Sequence, residues 1–115
     1  MSDINERTFN FALRIIKLCQ ALNKSYVMEK NILAKQLLRS GTSVGANVEE
    51  AQAGQSRSDF VHKMAIALKE ARETNYWLRL LEASEILPKE KLTELIKESN
   101  EIKKILGAII VSSKK

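Results

Sequence analysis

Leu92, Leu95, Ser99, Ile102, Leu106 and Ile109 follow one another at alternating steps of three and four residues. That spacing places every member on one side of an α-helix, in the pattern of a heptad seam. Ile96, Ile105 and Ile110 widen the same side. Pro88 stands just upstream, and proline is tolerated in the first turn of a helix, so the spacing predicts a helix that opens at Pro88. A single amphipathic helix of this kind depends on tertiary packing, which obliges the rest of the chain to supply partners.

Three earlier segments carry matching stripes. From Asp3 to Asn23, Phe9, Ala12, Ile16 and Cys19 recur at helical steps beside a second row, Phe11, Ile15, Leu18 and Leu22. From Glu29 to Ala53, Leu33, Leu37, Gly41, Val44, Val48 and Ala51 share one side. Its middle, Arg39 to Asn47, holds two glycines and three hydroxyl side chains, which disfavour helix. The apolar stripe nevertheless keeps its phase through this stretch, so helix is predicted throughout. Gly41 and Gly45, four apart, leave a bare face that another helix can approach closely. From Ser58 to Ser84, Phe60, Met64, Ala67, Ala71, Leu78 and Leu81 form a ridge, flanked by Val61, Leu68 and Trp77. Gly54 is a plausible terminator before it. Ser56 and Asp59 have capping spacing, with Ser58 as the alternative cap.

One proline and four glycines in 115 residues argue against a turn-rich β architecture. The expected fold is all-α: an up-down-up-down antiparallel four-helix bundle, a single domain over residues 1–115. The apolar rows on the first and fourth helices are wider than an isolated bundle needs, which predicts self-association.

Chemistry is sparse. One cysteine, Cys19, excludes an internal disulfide, and with His62 as the sole histidine the chain lacks a zinc set. Neither a phosphate-binding glycine loop nor a dinucleotide fingerprint occurs. Thr42 and Ser43 have no histidine nearby in sequence, and adjacent Glu49 and Glu50 point in different directions on a helix. No catalytic residue, cofactor or metal is therefore expected, and the chain reads as a non-enzyme. The N-terminus lacks an apolar signal core, and the longest apolar run, Ile105 to Val111, is too short for a membrane span. A cytoplasmic protein without membrane contact is expected.

Two polar patterns remain. Ser40, Ser43, Asn47, Glu50 and Gly54 follow helical steps beside the apolar stripe. A ligand groove is one reading. The favoured one is a structural polar network or interface that fixes helix register, with Arg39, Arg72, Glu73 or Asn75 as partners. On the third helix His62, Lys69, Arg72, Tyr76 and Arg79 share one side. Cations with an interleaved aromatic suit phosphate contact and base stacking, and the net charge of +5 is compatible with that. Glu70 and Glu73 lie close in sequence, so a solvated, salt-bridged face is the competing reading.

The run Arg39-Ser-Gly-Thr-Ser-Val-Gly-Ala-Asn-Val-Glu-Glu50, then Ser56-Arg-Ser-Asp-Phe60, then Ile66-Ala-Leu-Lys-Glu-Ala-Arg-Glu73, resembles a known family. It is that of the four-helix-bundle proteins encoded in intervening sequences of bacterial large-subunit ribosomal RNA genes. These are similar to the accessory variability determinant proteins of diversity-generating retroelements. Ala51 departs from the glycine that many relatives carry there. The resemblance implies a homopentameric barrel with a basic surface. For the retroelement branch it also implies binding to nucleic acid and to a reverse transcriptase. Arg39, Ser43, Asn47, Glu50, Phe60 and Glu73 look like fold and interface determinants of the family, which supplies no catalytic residues. The leading expectation is a non-enzymatic oligomeric accessory protein that binds RNA or DNA. The alternative is a protein-interaction scaffold without nucleic-acid contact.

Overall fold

The computed structural model describes residues 2–22 and 28–114. Four α-helices dominate it: α1 (Ser2–Leu22), α2 (Met28–Gln52), α3 (Arg57–Ala83) and α4 (Thr93–Ser113). Asn23, the expected end of the first helix, lies outside the described residues. Among those described there is no strand. The helices form an elongated bundle of 47 × 20 × 19 Å.

The element boundaries follow from local chemistry. The Asp59 amide donates to Ser56 Oγ at 3.0 Å, so Ser56, not Ser58, caps α3. After α3 the chain turns through Glu85 at φ 59°, a left-handed position that more often holds glycine. The fourth helix departs from expectation. Pro88 is extended (ψ 138°), and Lys89–Lys91 form a 3₁₀ turn before α4 begins at Thr93. The tighter turn closes through amides of Lys91 and Leu92 on carbonyls of Pro88 and Lys89, at 3.1 and 3.0 Å. It delivers Leu92 fully buried into the core.

α2 packs between α1 and α3, α3 packs on α4, and α4 meets α1 along the lightest seam. Buried side chains form one cluster that includes Phe11, Ile15, Leu37, Met64, Leu78 and Leu106. The Arg39–Asn47 stretch is helical, as the stripe predicts, because tertiary packing overrides its weak propensity. The glycines explain the arrangement. A Cβ at Gly41 would lie 2.8 Å from Ile15 Cγ2, and one at Gly45 would lie 3.3 Å from the Thr8 carbonyl oxygen. Both glycines thus let α1 sit closely against α2. At the ends of that seam Asn5 Nδ2 donates to Gln52 Oε1 at 2.9 Å, and Cys19 Sγ donates to the Ala34 carbonyl at 3.3 Å. α1 and α4 are joined by Arg7, whose Nε and Nη2 grip the Glu98 carboxylate at 3.0 and 2.6 Å.

Candidate nucleic-acid interface

The outer side of α3 carries the basic stripe. His62, Lys69, Arg72, Tyr76 and Arg79 are all exposed. Their spacing of three, four or seven residues returns each to the same side of the helix. Arg79 contacts two neighbours on the same helix. Its Nε donates to Asn75 Oδ1 at 2.9 Å, and its guanidinium carbon lies 5.7 Å from the centre of the Tyr76 ring. Tyr76 in turn meets the edge of Trp77, with centroids 5.3 Å apart. The Tyr76 ring is thereby held in place while 48% of the residue stays exposed.

The neighbouring carboxylates do not neutralise this stripe. Arg39 of α2 reaches across to α3, where Nη1 donates to Glu70 Oε1 at 3.2 Å and Nη2 donates to Glu73 Oε1. Glu70 is only 8% exposed. Both acids are thus turned toward the α2 flank. Among the described residues neither Lys69, Arg72 nor Arg79 has an ion-pair partner.

The polar stripe of α2 divides. Arg39 and Glu73 come together, as stated. Ser43 Oγ donates to the Arg39 carbonyl at 2.6 Å, and Asn47 Nδ2 donates to the Ser43 carbonyl at 2.9 Å, so both bond within their own helix. Glu50 is exposed. Arg72 faces outward and does not meet Asn47. The buried interhelical polar contacts run through Ser40 of the same stripe and through α3. Ser40 Oγ and Thr74 Oγ1 meet at 2.9 Å in the α2–α3 seam. Asn75 Nδ2 donates to Ser99 Oγ at 2.8 Å and to Asn100 Oδ1 at 3.2 Å, which ties α3 to α4. The signal for this layer in the sequence is the Thr74-Asn75 interruption of the α3 ridge and the serine at a heptad core position of α4.

The surplus apolar surface is concentrated between α1 and α2. Phe9 is 60% exposed and Leu13 45% exposed on α1, with Ile32 and Leu38 exposed on α2. A shallow groove of about 290 Å³ between these helices is lined by Phe9, Leu13, Ile16, Gly45 and Ala46. On α4, by contrast, Ile96, Ile105, Ile109 and Ile110 pack partly against the core, and Val111 is left exposed. No helix of the described residues is long and apolar enough to cross a membrane.

The sequence profile of the 23S rRNA-intervening sequence protein matches residues 2–108. The chain belongs to the 23S rRNA-intervening sequence protein family. A crystal structure from Bacteroides thetaiotaomicron VPI-5482, described as a protein of unknown function from the S23 ribosomal protein family, is similar to it at 44% identity. The likeness covers 93% of this chain and 97% of that one, with a TM-score of 0.87. Among curated proteins none matches the chain.

In this member of the intervening-sequence family, α4 adds cations that the reading of α3 alone missed. Lys103 and Lys104 line a groove of about 440 Å³ with Arg72, Leu68, Asn100 and Gly107. Their sequence signal is the Lys103-Lys104 doublet, which follows the polar side of the heptad pattern. A second basic groove, between α1 and α4, is lined by Arg14, Lys17 and Lys91 together with Leu18, Ala21 and Leu95.

Proposed function

We propose that this chain is a non-enzymatic, single-domain accessory protein that self-associates and binds RNA or DNA through the basic side of α3. The observation that carries this reading is the segregation of charge around Arg39. Glu70 and Glu73 are committed to Arg39, while Lys69, Arg72 and Arg79 remain on the surface, without carboxylate partners among the described residues, beside an exposed tyrosine. Cations without local counter-charges are the groups that exchange small ions for phosphates.

The assembly proposed is a homopentameric barrel of up-down-up-down antiparallel bundles in the cytoplasm. The pairing of α1 with α2 supports the topology: Asn5, early in α1, bonds Gln52, late in α2, and Cys19, late in α1, bonds the carbonyl of Ala34, early in α2. Exposed Phe9 and Leu13 support the self-association. The resemblance to the retroelement accessory proteins adds a reverse transcriptase as the protein partner to test.

The experiment is binding of labelled RNA and DNA at two salt concentrations, with light scattering on the same sample. Binding that weakens steeply with salt, by an assembly larger than one chain, is the expected result. Absence of binding at low salt removes the nucleic-acid reading. A second reading, a protein-interaction scaffold with no nucleic-acid contact, is favoured by the apolar α1–α2 face. It predicts stable protein partners that persist after nuclease treatment.

A further inference from the structure

The groove between α3 and α4 has cationic walls on both sides. Arg72 comes from α3, and Lys103 and Lys104 come from α4. Lys104 Nζ lies 3.7 Å from Glu101 Oε1, an exposed pair that solvent screens. Lys103 Nζ lies 3.4 Å from the neutral Asn100 Oδ1. The nearest acids on α3 are the two held by Arg39. Three positive groups therefore face a groove with one weakly paired carboxylate at its rim.

The groove is also open where a backbone would need room. A Cβ built on Gly107 meets nothing within 4 Å. Tyr76 stands one helical turn beyond Arg72 on α3, about 6 Å along the axis. Its ring is fixed by Trp77 and Arg79 and half exposed.

Resting on the nucleic-acid reading above, we infer that the α3–α4 groove seats a single-stranded nucleic-acid segment. Arg72, Lys103 and Lys104 take its phosphates, and Tyr76 stacks on an unpaired base. The aromatic decides between single strand and duplex. In a duplex the base faces are stacked on one another and only edges are presented, so a rigid surface tyrosine has no ring to cover. An unpaired base offers its full face. RNA and DNA share this chemistry, and the test separates them.

The test uses the full chain and fluorescence anisotropy with a labelled single-stranded RNA, a single-stranded DNA of the same sequence and the corresponding duplex, at low and moderate salt. The variants are Lys103→Gln with Lys104→Gln, Tyr76→Leu, and Lys17→Gln with Lys91→Gln as a control in the other basic groove. Lys103 is half-buried and the other replaced side chains are exposed, and circular dichroism reads the helix content of each variant. The wild type is expected to prefer single strands over duplex. Lys103→Gln/Lys104→Gln is expected to flatten the logarithmic salt slope by about 1.4, from roughly 0.7 for each of two lost phosphate contacts. Tyr76→Leu is expected to weaken single-strand binding at least about fivefold and to leave duplex binding unchanged. Preference for duplex overturns the inference. So does wild-type binding that survives the α3–α4 changes and is lost in the α1–α4 control, an outcome that leaves the broader nucleic-acid reading standing. If the wild type binds none of the probes at low salt, both fall.

Discussion

Arg39 on α2 and Glu70 on α3 meet at 3.2 Å across the helix seam, with Glu70 almost wholly buried and Arg39 half exposed. The contact fixes the two helices in register and holds a carboxylate away from the basic side of α3.

Arg39→Ala should therefore act twice. It leaves the buried Glu70 carboxylate without its charged partner, at a cost of about 1–3 kcal/mol. It also frees Glu73 to approach Lys69, four positions away on the same helix. Urea denaturation should show the loss of stability, and nucleic-acid affinity should fall although Arg39 touches no ligand. Adding Glu73→Gln to Arg39→Ala should recover affinity without recovering stability. Parallel recovery of both would show that Arg39 acts only through the fold.

The glycines should respond in opposite directions. Gly41→Ala drives a methyl against the β-branched, fully buried Ile15 and should cost about 1–3 kcal/mol through overpacking. Gly107→Ala meets open space within a helix and should raise stability by about 1 kcal/mol, the helix preference of alanine over glycine. Thermal melts of the two variants check both signs.

Asn75 uses its whole amide, as donor to Ser99 and Asn100 and as acceptor from Arg79. Asn75→Ala leaves the buried Ser99 hydroxyl without that donor and removes the Arg79 anchor. A loss of about 1–3 kcal/mol is expected, read by chemical denaturation. A smaller effect from Asn47→Ala is expected, since Asn47 bonds only within α2.

Leu13→Glu tests the apolar α1–α2 face. A charge placed among Phe9, Ile16 and Ala46 should convert the assembly to single chains by light scattering, with helix content unchanged. A wild-type protein that is already monomeric at micromolar concentration overturns the self-association reading.

Burial pushes the Cys19 thiol up from its ordinary value of 9.0 to about 11. The folded state thus keeps a proton that the unfolded chain releases first. Stability from this source is complete below the unfolded value, and declines as pH rises from about 9 toward 11. Cys19→Ala should flatten that part of the pH–stability curve relative to wild type, measured by urea unfolding at several pH values.

The sequence by itself determined the helices and most of the core. Recurrence of apolar residues at three and four steps depends only on helix geometry, so Leu37, Val44, Val48, Met64, Leu78 and Leu106 were legible as buried. It also carried the helix through Arg39–Asn47, where propensity alone argued for a loop. Only the tertiary structure decided where the polar groups go. Within the α2 stripe Ser40 bonds across to α3, beside the Arg39–Glu73 pair, while Ser43 and Asn47 bond within α2 and the tie to α4 runs through Asn75 and Ser99. A hydrogen bond depends on which side chain of another helix lies opposite, and spacing within one helix does not contain that. The same reason governs charge. Glu70 and Glu73 lie within two residues of Arg72 in sequence but point to Arg39, and Lys103 and Lys104 meet Arg72 only because α4 packs beside α3.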